Sequence, residues 1–425
     1  MRLTGRGGLA GGRRGSRSRL PVAVVTGIVA LAVAAAGCSP SAPTSGPVGG
    51  SADAAVEAGA VGNLPLPQAF SGPAGTWATL AMGQLGNPLD TFWELFDRTG
   101  LCAAPAGCPS IEGGWVLATP PGVATNGGLI PTANADGALT VGFGTSIDLQ
   151  FSPVAETSDR ASTWSTGVLP GGLAQSPDAL AASGPVSRLA VLTGGGGKVV
   201  ASTGDLDTWT PVVTERALAT ATGSTGCSLT ALTGVALAGP GPGYPEQRYA
   251  GGACATGTVV PIYRLEGATG QPVGPHLPAR DAPVRVERLV DTSGGLAALA
   301  GSGTGPTARL VLVTSPEGAA PWSVSAPLAT GGRSVISTSV TPNGGMVVVL
   351  AGGQGGATAS VISAGSAWRT LPRLPWSTGL VVAEPGGQYE ALSSSGSTLD
   401  VDALVGGRWQ HRASVEVPIQ YGSSG

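Results

Sequence analysis

Thr157-Ser158-Asp159-Arg160-Ala161-Ser162-Thr163-Trp164 is the stretch that decides the fold of this 425-residue chain. It predicts a tight turn that leads into a strand beginning with a tryptophan, because an Asp side chain readily hydrogen-bonds to the backbone of a turn. Aromatic residues in a similar setting recur at steps of 41 to 59 residues, and they are Trp115, Trp164, Trp209, Tyr263, Trp322, Trp368 and Trp409. A repeat of about 40–50 residues that holds four strands is typical of a β-propeller blade. The spacing therefore predicts an all-β chain with seven four-stranded blades.

The composition favours the same class. The chain contains 71 Gly and 35 Pro, which are unfavourable in helices, and only 11% of its residues are charged. Short apolar runs rich in β-branched residues, such as 309–313 and 346–350, are typical of buried strands. A strand around Trp77 is a candidate to join the last blade and so close the ring.

The N-terminus predicts export and anchoring. Residues 1–19 contain six Arg and no acidic residue, and residues 21–36 form an apolar run that is shorter than the roughly 20 residues of a membrane-spanning helix. The run ends in Ala35-Ala36-Gly37-Cys38, which resembles the lipobox of bacterial lipoproteins with Ala35 in the usual Leu position. The resemblance implies lipidation of Cys38 at the extracytoplasmic face of the cell membrane. The alternatives are an ordinary signal with a chance cysteine and an uncleaved anchor.

These features divide the chain into a signal peptide at 1–37, a flexible tether at 38–63 and a β-propeller domain at 64–425. Removal of the signal peptide, with its six Arg, leaves 16 basic and 25 acidic residues and a net charge of −9. That charge argues against a nucleic-acid partner, which requires clustered Lys and Arg.

The cysteines predict disulfides rather than a metal site. Besides Cys38 the chain has four, namely Cys102, Cys108, Cys227 and Cys254, and an even number in an exported chain favours pairing. Three pairings are possible, and we favour the two local ones. The chain has two histidines and lacks a CxxC motif, so we expect neither a metal nor another cofactor.

The turn at 157–164 resembles the Asp-box of sialidase-like (BNR-repeat) propellers, whose pattern is Ser/Thr-x-Asp-x-Gly-x-Thr-Trp. Thr157, Asp159, Thr163 and Trp164 match this pattern, and Ala161 stands in the Gly position. Because the Asp-box of that family is a structural hairpin away from the active site, the resemblance implies a structural role for Asp159. The chain is thus similar to a bacterial lipoprotein that carries an Asp-box propeller.

Eroded copies of the motif precede two further tryptophans. The copy that ends at Trp209 has Gly204 where Asp belongs, and the copy that ends at Trp322 has Glu317 there. Several degenerate copies at blade spacing strengthen the resemblance as a statement about architecture.

The catalytic set of sialidases is poorly matched. Their Phe/Tyr-Arg-Ile-Pro motif is missing near the first blade, and Tyr263-Arg264-Leu265-Glu266 lies mid-chain without the Pro. Glycoside hydrolysis in general requires two carboxylates about 5–10 Å apart. Glu94, inside the aromatic stretch 87–97, is the most interesting acid, although a structural residue of a strand is the simpler interpretation.

Two stretches, 87–97 and 119–128, depart most from the repeat. They supply a candidate binding loop consisting of Glu94, Thr119, Pro120 and Asn126, with ring closure or packing as the alternative role. The sequence thus favours a non-catalytic binding or scaffold module at the cell envelope, with an envelope protein or a glycan as partner. A carbohydrate-active hydrolase of the sialidase-like type is the alternative.

Overall fold

The computed structural model describes residues 66–72, 75–85, 91–98, 114–120, 127–133, 138–144, 154–170, 177–183, 187–192, 197–222, 226–238, 246–278, 282–352, 356–363 and 365–418. Strands dominate these residues, with one α-helix, α1 (Glu215–Thr222), and one 3-10 turn (Gly305–Thr307) among them. The prediction of an all-β chain is confirmed. No helix in these ranges has the length and apolar character needed to cross a membrane. The predicted signal peptide, Cys38 and the tether lie outside the described residues.

The strands follow one another in antiparallel units of four. The first three units are β1 (Gln68–Gly72), β2 (Gly75–Gly83), β3 (Thr91–Asp97) and β4 (Val116–Leu117); β5 (Leu129–Ala133), β6 (Leu139–Phe143), β7 (Val154–Thr157) and β8 (Ser165–Gly167); and β9 (Ala179–Ser183), β10 (Ser187–Leu192), β11 (Lys198–Ser202) and β12 (Thr210–Thr214). The helix α1 follows the third unit.

The remaining strands continue the pattern. They are β13 (Leu229–Ala238), β14 (Gln247–Cys254), β15 (Ile262–Glu266) and β16 (Thr269–Pro272); β17 (Val284–Thr292), β18 (Gly295–Ser302), β19 (Arg309–Ser315) and β20 (Ser323–Val324), with a short β21 (Leu328–Ala329) beside β19; β22 (Val335–Val340), β23 (Met346–Leu350), β24 (Thr358–Ile362) and β25 (Arg369–Thr370); and β26 (Leu380–Ala383), β27 (Tyr389–Ser395), β28 (Thr398–Val405) and β29 (Arg408–Glu416). The described strands therefore form seven units.

Two pairings join units into larger sheets. β14 pairs with β17, and β1 pairs in parallel with β22, where Gln68 lies opposite Thr338. Trp77 lies in β2 and pairs within the first unit, opposite Asp97. The strand around Trp77 therefore does not become a strand of the last unit's sheet, but its end contacts that unit through an isolated bridge between Gly83 and Gly396. The pairing with another sheet is made by β1, which precedes it.

Each unit packs face to face against the next one along the chain, and the seventh packs against the first. Seven apolar clusters fill the spaces between successive units. Strand β23 shows how: Val347 and Val349 face the seventh unit, whereas Met346, Val348 and Leu350 face the fifth. Alternate side chains of a strand point to opposite faces, so a strand covered on both faces is apolar at every position. This ring of stacked sheets is the arrangement of a β-propeller.

The aromatic repeat marks the outermost strand of a unit. Six of the seven aromatics immediately precede or lie within a fourth strand, whereas Tyr263 lies in the third strand of its unit, β15. Three of the indole N–H groups donate to a backbone carbonyl that follows the outermost strand of the preceding unit. The pairs are Trp322 to Val273 (2.6 Å), Trp368 to Ala326 (2.9 Å) and Trp409 to Pro372 (2.9 Å). A tryptophan at this position therefore links neighbouring units.

The Asp-box turn joins β7 to β8. One oxygen of Asp159 accepts the Thr163 N–H at 2.9 Å and the other accepts the Thr163 hydroxyl at 2.6 Å. Desolvation raises the pKa of the half-buried Asp159 carboxyl, but the hydrogen bonds together outweigh it, so the pKa is lowered. Arg160 and Ala161 have φ of 60° and 66°, which is a left-handed conformation. This conformation explains why the family pattern has Gly where this chain has Ala161.

The eroded copy before Trp209 keeps its carboxylate one residue later than the family pattern. Asp205, not Gly204, accepts the N–H groups of Asp207 at 3.1 Å and Thr208 at 2.6 Å. The turn chemistry is retained although the spacing is not.

A polar cluster closes the ring between the first and seventh units. Arg98 donates two hydrogen bonds to Glu390, at 2.8 and 2.9 Å, and the Trp115 indole N–H donates to the same carboxylate at 2.9 Å. Glu384 lies 3.6 Å from Arg98 Nε. A second bidentate pair, Arg188 with Glu156 at 2.8 and 2.6 Å, joins the third and second units.

We expect Glu390→Gln to lower the free energy of unfolding by about 2 kcal/mol, because it leaves the Arg98 charge poorly matched at a mostly buried site. Chemical denaturation measures the change. Glu266→Gln is the matched control, since its ion pair with Arg264 is exposed and should contribute less than about 1 kcal/mol. Equal losses in the two variants would contradict a closing role for Arg98 and Glu390.

Candidate functional site

The structure brings two residues of the predicted binding loop together in the interior. Glu94, in β3, is 4% exposed and accepts a hydrogen bond of 2.5 Å from the Thr119 hydroxyl, which itself accepts the Leu95 N–H at 2.9 Å. Pro120 is also buried, and Asn126 lies outside the described residues. The burial of Glu94 and Pro120 favours the packing alternative.

Burial changes the acidity of Glu94. Desolvation raises the pKa of this carboxyl to about 7, and the hydrogen bond from Thr119 opposes the shift. Desolvation also raises the pKa of Glu384 to about 7, with Arg98 opposing the shift and Glu390 adding to it. Both carboxyl groups therefore titrate near neutral pH in the folded chain.

One predicted disulfide is present. Cys227 and Cys254 are bonded, with their Cα atoms 5.4 Å apart, and the bond links the segment before β13 to the end of β14. This confirms local pairing in the fourth unit. Cys102 and Cys108 lie outside the described residues, so their pairing stays a prediction.

A cavity of about 450 Å³ lies where the fourth, fifth and sixth units meet. We name it the arginine cavity after Arg285 in β17, Arg309 in β19 and Arg333 before β22. Its wall includes the starts of first and third strands and the end of a second strand. These strand ends all lie at one end of the sheets. The Asp-box turn connects the end of a third strand to a fourth strand, so it lies at the other end of its own sheet.

The cavity carries more positive than negative charge. Against its three Arg side chains stands the carboxylate of Glu287, which lies 3.5 Å from Arg285 Nε. Glu287 keeps 30% of its side-chain surface accessible, yet desolvation by the cavity wall raises its pKa, and the charge of Arg285 opposes this. The Glu287 carboxylate lies close to Gly301, where a Cβ would stand only 2.8 Å from Glu287 Oε1.

Several polar groups of the cavity are fixed or unsatisfied. Arg333 donates from Nε to the Thr330 carbonyl at 2.8 Å, which holds its guanidinium in place. Ser302 is 3% exposed, and neither its hydroxyl nor Arg285 Nε has a hydrogen-bond partner within the described structure. Buried polar groups normally have partners, so both atoms are exceptions in the wall of the cavity, although Arg285 Nε lies 3.5 Å from the Glu287 carboxylate.

The chemistry of this set is anion recognition. Arginine presents a planar fork of donors that matches carboxylate, phosphate or sulfate. Glu287 is the single carboxylate among the described lining residues, whereas glycoside hydrolysis by the usual route requires two. The described residues also contain no group of three or more His, Cys, Asp or Glu side chains that could hold a metal ion.

Sequence reasoning did not identify the arginine cavity. Each of its three arginines is more than twenty positions from the next along the chain, and the three share no motif. The available signal was weak: Arg285 and Glu287 interrupt a first strand that faces other sheets, and Arg309 opens an otherwise apolar third strand.

Comparisons with known proteins give only distant structural similarities. No protein-family model matches the chain, and no curated protein matches it. Among solved structures, YCF48 from Cyanidioschyzon merolae is similar with a TM-score of 0.44 and 12% identity over 74% of this chain and 88% of that one. AofleA from Arthrobotrys oligospora has a TM-score of 0.42 and 14% identity over 72% and 84%. A fungal lectin from Aleuria aurantia with a six-bladed β-propeller fold has a TM-score of 0.38 and 12% identity over 84% and 96%. Similarities at this level say nothing about a ligand.

The raised pKa of Glu94 predicts a pH-dependent stability. In the unfolded chain the carboxyl ionises near pH 4.5, whereas in the folded chain it stays protonated up to about pH 7. The folded state binds more protons in this window, so stability falls as pH rises through it, by roughly 3 kcal/mol for Glu94.

We expect Glu94→Gln to remove the contribution of Glu94 to the loss of stability between pH 4.5 and 7, because Gln still accepts the Thr119 hydrogen bond and carries no charge. Chemical denaturation at pH 5 and pH 8 measures the difference. Glu384→Gln serves as comparison and should remove the separate contribution of Glu384 to the same pH dependence. A Glu94→Gln variant with an unchanged pH dependence would show that Glu94 is ionised in the fold.

Proposed function

We propose that this chain is a lipid-anchored, seven-bladed β-propeller at the extracytoplasmic face of the cell membrane. In this proposal it is a non-catalytic binding or scaffold module that holds an anionic group of an envelope protein or glycan in the arginine cavity. The observation that carries the proposal is the convergence of Arg285, Arg309 and Arg333 on one cavity with a single carboxylate.

The state of the cavity supports binding. Holding Arg333 in place before a ligand arrives lowers the ordering cost of association. A cavity of about 450 Å³ has the size of small-ligand sites.

The hydrolase alternative receives less support. Sialidase-like enzymes combine an arginine triad with a tyrosine, its acidic partner and an Asp, and the described lining of the arginine cavity offers only three arginines and Glu287. This set can hold a carboxylate but lacks the pair of acids that cleaves a glycosidic bond.

We expect the purified chain to bind citrate, a compact polycarboxylate, and Arg309→Gln or Arg333→Gln to weaken binding at least tenfold. Isothermal titration calorimetry measures the affinity. Arg264→Gln is the matched control, since Arg264 is exposed on β15 and pairs with Glu266 outside the cavity. Glu287→Gln should strengthen binding by removing a repulsive charge. Absent citrate binding, or equal weakening by Arg264→Gln, would count against the proposal.

The anchor is tested separately. We expect the wild-type chain, expressed in a bacterium that processes lipoproteins, to partition into the detergent phase of a Triton X-114 extract. Cys38→Ala should move it to the aqueous phase, while Cys102→Ala should leave partitioning unchanged. Retention of Cys38→Ala in the detergent phase would contradict a lipid anchor at this cysteine.

A further inference from the structure

A second concavity lies at the same end of the sheets as the arginine cavity. We name it the apolar groove: it has a volume of about 240 Å³ and its wall includes Leu66, Leu85, Trp93 and Ile336. Leu66 and Leu85 are 41% and 40% exposed, and they are two of the four large apolar residues that are exposed in the described part of the chain. Trp93 belongs to the aromatic stretch 87–97, which the sequence singles out as least like the repeat.

The two concavities flank the beginning of one strand. Val335, the first residue of β22, lines the arginine cavity, and Ile336, the second, lines the apolar groove. A register shift lies between Val335 and Ser337, and the two side chains nevertheless point to opposite faces: Val335 packs toward the fifth unit and Ile336 toward the seventh. The two concavities are therefore about one sheet thickness apart, on the order of 10 Å, which three or four residues of an extended peptide span.

The groove suits an apolar side chain rather than a sugar or a lipid. Its walls are mostly aliphatic, and the Ser394 hydroxyl already donates to the Ala81 carbonyl at 2.6 Å, which leaves it less available to a sugar hydroxyl. Its volume accommodates one large side chain but not the whole of a long acyl chain.

We propose that the arginine cavity and the apolar groove are two halves of one peptide-binding surface. The ligand is a peptide segment with a carboxylate and a bulky apolar side chain a few residues apart. The carboxylate lies among Arg285, Arg309 and Arg333, and the apolar side chain lies between Leu85 and Ile336. The carboxylate half rests on the function proposed above, whereas the apolar half is independent of it.

Synthetic peptides test the pairing of the two halves. The probes carry one Phe and one Glu separated by zero to four Gly, with both termini blocked, and a second set carries Phe upstream of a free C-terminal carboxylate. Isothermal titration calorimetry measures the affinity of the purified chain for each. We expect an optimum at an intermediate spacing, with at least tenfold tighter binding than citrate, and the set that binds identifies the source of the carboxylate.

Variants separate the halves. Leu85→Ser should weaken the best peptide about tenfold, the loss expected for one buried apolar contact, and leave citrate affinity within twofold of wild type. Val324→Ser is the matched control, because Val324 is 45% exposed in β20 outside the groove, and it should change neither affinity. Arg333→Gln should weaken both ligands. Leu85 lies in an exposed turn, so this variant should fold, and circular dichroism verifies it.

The outcomes distinguish the two proposals. If the wild-type chain does not bind citrate, the anion site itself is overturned. Citrate binding without tighter peptide binding, or a peptide affinity that Leu85→Ser leaves unchanged, would overturn only the joint surface. Binding to anionic phospholipid vesicles that depends on Leu85, without binding to any peptide, would overturn the choice of a peptide ligand.

Discussion

The structure depends on one constraint: each four-stranded sheet is apolar on both faces and must be covered on both. In β23 every side chain is buried, with alternate residues contacting the units on either side. A stack of such sheets leaves two bare faces at its ends, and bringing the first unit against the seventh removes them. The cluster that contains Phe96 of the first unit and Leu392 of the seventh fills that last space. Burial of apolar surface thus selects a ring.

Apolar packing alone does not fix how the ring closes, because it has little direction. Directional contacts fix the position of one unit against its neighbour. Arg98 holds Glu390 by two hydrogen bonds across the junction of the first and last units, and Trp115 donates to the same carboxylate. Elsewhere the indole N–H of an outermost strand reaches a carbonyl of the preceding unit, as Trp409 does to Pro372. Removing one partner of such a contact leaves a polar group unmatched, so each is costly to break.

The sequence predicted what is periodic. Aromatic spacing located the outermost strand in six of seven units, and only Tyr263 fell in a third strand. Asp205 shows the limit of motif matching, since it supplies the turn carboxylate one position away from the expected place. The arginine cavity was beyond prediction, because its residues converge only after three units have been placed side by side. Glu94 attracted attention as an acid among aromatics, and its burial could be known only from the packing around it.

Polar side chains have different partners in the Asp-box turn and around the arginine cavity. In the Asp-box turn, Asp159 accepts bonds on both oxygens, so it has little capacity left for a partner. At the other end of the sheets, in the fifth unit, the Ser302 hydroxyl and Arg285 Nε are buried without hydrogen-bond partners in the described structure, and Arg285 Nε has the Glu287 carboxylate 3.5 Å away. Such atoms lower stability unless something binds them. Other buried atoms of the described structure also lack hydrogen-bond partners, such as the indole nitrogens of Trp77 and Trp164. What distinguishes the arginine cavity is therefore its charge, with three arginines against one carboxylate, and that imbalance is what an anionic ligand would offset.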